Sequence, residues 1–268
     1  MPDASIPVKL PPAPSKLKGP AWLNDLGYFD DDKSIFQRAL IYGESGSGKT
    51  TFLGSWPRLL VIDTDKGGRT LRDKHIPCIP CLESRGIVDR VFAILTAAQA
   101  RSKLELDDGR VLDFNEIDTI ALDSFTAFSN SAIADMLFEI GKDPLKTKPS
   151  YDEYGKLLNI QTELGKRFKR LSLMYNIVVT ALPDVNRDEN TGTMYGGPLM
   201  VGSYRNVVMG DFDEVYYFTT EGSKDKVTYF MYSAKIQFFG AKTKLKIPYR
   251  VEDPTYDKLV AFDAKARA

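Results

Sequence analysis

Eight consecutive residues near the start of the chain have the types and spacing to hold a polyphosphate. Gly43-Glu44-Ser45-Gly46-Ser47-Gly48-Lys49-Thr50 has the form GxxxxGK[ST], a phosphate-binding loop, and with Thr51 it makes up the expected nucleotide-binding stretch. The three glycines let the backbone curl so that successive N–H groups point inward at an anion, and a following helix would add its positive end. Lys49 supplies a full charge and Thr50 a hydroxyl for Mg²⁺, so ATP and Mg²⁺ are the expected cofactors. The alternative is a turn that is merely rich in glycine. Against it stands the context: an apolar run, Ala39-Leu-Ile-Tyr42, precedes the loop, and Thr51-Phe-Leu53 can open a helix.

Binding needs only the loop; hydrolysis needs a carboxylate near the metal and another near the attacking water. Thr119-Ile-Ala-Leu-Asp123 is an apolar run ending in an acid, the Walker B form, and places Asp123 as a second Mg²⁺ ligand, through water. Leu60-Val-Ile-Asp63-Thr-Asp65 ends in acids as well, directly after the helix that follows the loop. Asp65, ahead of Asp63, is the candidate general base; alternatively both acids cap the segment Lys66–Thr70. The run Asn176-Ile-Val-Val-Thr180-Ala181 stops at a polar residue, where Thr180 could sense the γ-phosphate.

These residues need a scaffold, and the chain alternates accordingly. Strand patterns at 38–42, 59–63, 76–82, 117–123 and 177–181 are separated by helical periodicity at 84–100, 125–140 and 154–174, which predicts an α/β fold: a mostly parallel twisted sheet flanked by helices. After residue 210, Asp213–Thr219 and Lys226–Ala234 are β-rich and separated by Glu-Gly-Ser-Lys-Asp, predicting a C-terminal antiparallel β extension. Residues 1–34, with six prolines in the first 20, read as an N-terminal arm, disordered or docked on a neighbour. Residues 35–252 read as one ATPase domain, and 253–268 as a polar, weakly ordered C-terminal tail. The stretch 183–198, polar and rich in glycine, is expected to be a long loop, functional or disordered.

Composition narrows the class. Of 268 residues, 43% are apolar and 27% charged, a globular profile, and 36 basic side chains balance 36 acidic ones, so any nucleic-acid binding must come from local patches. No apolar run approaches the roughly 18 residues of a membrane helix, and the start lacks a signal-peptide pattern, so a cytoplasmic location and no membrane partner are expected. Cys78 and Cys81 form a C-x-x-C, which supplies two of four zinc ligands with no second pair; both are expected to be small buried hydrophobes.

Taken in order, Gly43–Thr51, Val61-Ile-Asp-Thr-Asp65, Ile120-Ala-Leu-Asp123-Ser124, Asp152-Glu-Tyr154-Gly, Ile177-Val-Val-Thr-Ala and Gly196-Gly-Pro-Leu resemble the compact RecA-like P-loop ATPases of bacteriophages, associated with single-strand annealing and recombination. Asp65 matches the acid that RecA carries after the phosphate-loop helix, as aspartate rather than glutamate; where RecA has glutamine at the sensor strand, this chain has Thr180-Ala181-Leu182. The resemblance implies an ATPase, stimulated by DNA, that binds single-stranded DNA and self-associates into a ring or filament in the cytoplasm, that of a host if the origin is a phage. It implies DNA-binding loops near 141–150 and 183–200, with Lys142, Lys146, Lys148, Arg187 and Tyr195 as candidates, and Lys235 as a residue reaching a neighbour's γ-phosphate. A nucleotide-gated accessory or loader protein with little turnover is the alternative.

Overall fold

The computed structural model describes residues 37–105, 109–187, 189, 191–223 and 226–267. The expected arm at 1–34 lies outside the described residues. Chain order is β1 (Arg38–Gly43), α1 (Lys49–Leu53), β2 (Leu59–Asp63), β3 (Cys78–Pro80), α2 (Ile87–Gln99), β4 (Lys103–Glu105), β5 (Val111–Asp113), β6 (Thr119–Asp123), α3 (Phe125–Glu139), α4 (Tyr151–Leu171), β7 (Asn176–Ala181), β8 (Pro183–Arg187), β9 (Met194–Pro198), β10 (Glu214–Ser223), β11 (Lys226–Tyr232), β12 (Arg250–Glu252) and α5 (Tyr256–Arg267).

Eight strands form the main sheet in the order β12-β11-β10-β1-β7-β6-β2-β3. From β10 to β3 the neighbours pair in parallel, while β11 and β12 add antiparallel. β1, β2, β6 and β7 are apolar almost without interruption because both faces are covered. Leu40, Ile62, Leu122 and Val179 turn toward α2, α3 and α4, meeting Val91, Phe128 and Leu164. Ile41, Val61, Ala121 and Val178 turn the other way, onto Phe52 and Leu53 of α1 and Leu259 of α5. The α/β fold with its C-terminal antiparallel extension is therefore the one expected, and β7 lies between β1, which leads into the glycine-rich loop, and β6, which ends in Asp123.

Three expectations need correction. The tail at 253–268 is not weakly ordered: Tyr256–Arg267 is helical and docked, with Leu259 fully buried, Tyr256 against Trp56 at 4.7 Å between ring centroids, and Asp263 Oδ1 accepting from Lys246 N at 2.7 Å. Residues 183–198 are not a structureless loop, since β8 and β9 pair with each other, Asn186 opposite Tyr195. Gly196 ties the hairpin to the body, donating to Phe238 O at 2.7 Å and accepting from Gly240 N at 3.1 Å. Of the two cysteines, Cys81 is buried, but Cys78 sits on the edge strand β3 and is exposed.

Candidate nucleotide site

The loop between β1 and α1 curls because Gly46 and Gly48 take φ of 78° and 90°, a left-handed region that costs glycine little. α1 has only five residues, and among the described residues no side chain caps its first-turn amides. Its offer to an anion is therefore those amides rather than the dipole of a long helix. Ser47 is buried with a hydroxyl that has no hydrogen-bond partner among the described residues. Lys49 Nζ arches back over the loop, donating to Gly43 O at 2.7 Å and Glu44 O at 2.8 Å. Burial lowers the Lys49 pKa, against the opposing pull of Asp123, Asp65 and Glu44.

Parallel pairing sets the acids beside one another. Asp63 at the end of β2 is in register with Asp123 at the end of β6. Asp123 is 4% exposed and accepts hydrogen bonds from the hydroxyls of Thr180, on β7, and Thr50, the latter at 3.3 Å. Burial, with further repulsion from Asp65 and Asp63, pushes the Asp123 carboxyl up from 3.8 to about 6; the Thr180 and Thr50 hydroxyls pull the other way. Thr64 clamps the turn that follows: its hydroxyl donates to Ser124 O at 2.7 Å and accepts from Ser124 N at 2.9 Å.

Asp65 is exposed and shares a cleft of about 320 Å³ with Lys49, Thr50 and Asp123. Its Oδ1 accepts from Gly67 N at 2.8 Å, and its own N–H donates to Asp63 Oδ1 at 3.1 Å, so both acids cap the chain, and of the two only Asp65 lines the cleft. Gly67 lies between the carboxylates: a Cβ there would be 2.8 Å from Asp65 Oδ1 and 3.4 Å from Asp123 Oδ2. Any side chain at position 67 would wedge into the gap they face.

The donor set fits a magnesium nucleotide. Mg²⁺ is characteristically held by one or two carboxylates plus substrate phosphates rather than by a full protein cage. That matches a buried acid and a threonine hydroxyl beside a curled loop, with no cluster of three or more His, Cys, Asp or Glu among the described residues.

Other expected residues lie elsewhere. Thr180 is fully buried and bonded to Asp123, while Ala181 and Leu182 line the cleft at the end of β7. Lys142 is paired with Glu153 at 3.2 Å and Lys146 with Asp143 at 3.5 Å. Lys148 is exposed, with no ion pair among the described residues. Arg187 ends β8 exposed, and Tyr195 on β9 is 49% exposed. Lys235 is exposed beyond β11, and none of these basic residues lines the cleft. Sequence reasoning missed Thr64, Gly67, Thr70 and Tyr229. The first three sit within the acid-bearing turn and could have been suspected from Gly67-Gly68; Tyr229 is far away in the chain and had no local signal.

No helix among the described residues is long and apolar enough to cross a membrane. No curated protein matches the chain. Among solved structures the chain is similar to the flagellar accessory protein FlaH from Methanocaldococcus jannaschii, at 12% identity over 81% of this chain and 84% of that one, with a TM-score of 0.36. So loose a likeness says nothing of function. A family described as AAA domain matches residues 35–245, well over half the chain and the same span that carries the phosphate loop and both acid-tipped strands. The chain belongs to the AAA domain family, and that span is an ATPase domain of its type.

Proposed function

We propose that the chain is a Mg²⁺-dependent ATPase that binds single-stranded DNA and self-associates, ATP favouring the DNA-bound assembly and hydrolysis releasing it. The observation that carries the reading is the convergence of Lys49, Thr50, Asp65 and Asp123 on one cleft. The loop amides and Lys49 would bind the phosphates, Lys49 leaving the Gly43 and Glu44 carbonyls for phosphate oxygens. Thr50 and Asp123 would hold Mg²⁺, whose role when bound is to neutralise charge on the phosphate oxygens. Thr180 orients the Asp123 carboxylate from beneath. Asp65, with one oxygen fixed by Gly67 N, would use the other to orient the attacking water and accept its proton.

For DNA, Lys148 and Arg187 are the basic candidates free to neutralise backbone phosphates, while Lys142 and Lys146 would first have to release Glu153 and Asp143. Tyr195, and Tyr151 at 92% exposure beside Lys148, offer rings on which bases can stack without sequence preference. Lys235 is the proposed contact to a neighbouring subunit's nucleotide. The reading is tested by ATP turnover with and without a single-stranded oligonucleotide. Stimulation by DNA supports it, and turnover indifferent to DNA across a range of salt removes the DNA half.

One observation favours a second reading, a nucleotide-gated accessory protein with little turnover. The only polar side chain at the end of β7, Thr180, is committed to Asp123, and Ala181 and Leu182 face the cleft instead, so the strand has no obvious relay to a DNA-binding segment. Tight nucleotide binding with negligible phosphate release would select that alternative.

A further inference from the structure

The chemistry above uses one end of the nucleotide cleft. The acids stand on β2 and β6, to one side of β1 in the sheet order. On the other side, two strands out, β11 contributes Tyr229, which lines the same cleft. Its ring covers the phosphate loop: a Cβ on Gly48 would lie 2.7 Å from Tyr229 Cδ1 and 3.1 Å from Cγ. The backbone that mounts this ring is held from both sides. Tyr229 pairs with Thr220 in the β10–β11 ladder, and its carbonyl accepts from Asp253 N at 2.8 Å. The ring is only partly buried, and among the described residues its hydroxyl has no hydrogen-bond partner.

We infer that Tyr229 is the wall against which the nucleobase of the bound triphosphate stacks. The inference rests on the nucleotide reading of the phosphate loop. A triphosphate whose terminal phosphate lies at Asp65 and Asp123 must run back along the loop, with its nucleoside directed away from β6 and β2 and toward β10 and β11. There the partly exposed aromatic face available to it is Tyr229. Every base has a π-face, so stacking adds affinity without reading a base edge, by about tenfold or more for a single ring. Tyr229 therefore strengthens purine nucleoside triphosphates generally and separates adenine from guanine only weakly.

The test is calorimetric titration of the full chain, in Mg²⁺, with a non-hydrolysable ATP analogue and separately with inorganic tripolyphosphate. Tyr229→Ala is expected to weaken the analogue about tenfold or more while leaving tripolyphosphate binding unchanged. Tyr229→Phe, which keeps the ring, is expected to bind both ligands as the parent chain does. If Tyr229→Ala weakens both ligands equally, the ring is only a brace for the loop and the inference falls; it falls equally if neither changes. A parent chain that gains nothing from the nucleoside over tripolyphosphate overturns the inference and leaves the phosphate loop standing. A parent chain that binds neither ligand overturns both.

Discussion

Replacing Asp123 by asparagine should make the protein more stable at neutral and higher pH while removing its turnover. Burial raises the Asp123 carboxyl from 3.8 to about 6. Between those values the folded state holds the proton that the unfolded chain has released, so stability falls as pH rises from about 4 through about 6 and stays lower above. Each pKa unit corresponds to about 1.4 kcal/mol, so the ionised carboxylate costs the fold about 3 kcal/mol at alkaline pH. Asparagine keeps a carbonyl oxygen for the Thr180 hydroxyl and loses the stronger charge-assisted bond, offsetting about 1 kcal/mol of the gain. The net expectation is about 2 kcal/mol of stabilisation, or about 4–8 °C in melting temperature for a chain of this size. The assay is thermal unfolding of Asp123→Asn and the parent chain with a chelator present, at about pH 4.5 and about pH 8, values that bracket the raised pKa. The variant should melt higher at the alkaline value, and the two proteins should converge at the acidic one. A variant less stable at alkaline pH, or a difference that does not change with pH, would refute the assignment of a buried, uncompensated charge to this position.

Other outcomes follow from the same geometry. Thr180→Val keeps the shape of a fully buried side chain and removes the hydroxyl from Asp123, so ATP turnover should fall about tenfold with the circular dichroism spectrum unchanged. Leu259→Ala removes the one fully buried side chain of α5 and should cost about 2–5 kcal/mol in denaturant unfolding. Lys148→Ala and Arg187→Ala should each lower the salt dependence of single-stranded DNA binding by about one phosphate contact, whereas Lys142→Ala, which takes away the cation paired with the buried Glu153 and leaves it only its Ser150 cap, should show first in stability.

The central sheet was legible in the sequence because strands covered on both faces read as unbroken apolar runs; the expected starts and ends of β1, β2 and β7 lie within a residue of those seen. The helices α2 and α4 were legible from their stripes, and α3 from apolar residues such as Ile133, Met136 and Leu137 rather than from one face. α5 was not, since a helix that buries only Leu259 and leans Tyr256 on Trp56 presents no stripe to read. The β8–β9 hairpin was missed because it pairs with itself and is moored by backbone bonds at Gly196, leaving no apolar alternation. Within the site, the phosphate loop and the acid-tipped strands carry local patterns, so Lys49, Thr50, Asp65 and Asp123 could be named in advance. That Thr180 lies beneath Asp123 rather than in the cleft depends on which way β7 turns its side chains between β1 and β6. Tyr229 reaches the loop only through the antiparallel extension, a juxtaposition fixed by strand order and invisible to spacing.

The most direct measurement is phosphate release from ATP by the full chain, with and without Mg²⁺, beside Lys49→Ala. Turnover that requires Mg²⁺ and disappears in the variant is the expected result. Equal release by both proteins, or none by the parent chain under conditions where ATP binds, would contradict the assignment of Lys49, Thr50, Asp65 and Asp123 to a hydrolytic site.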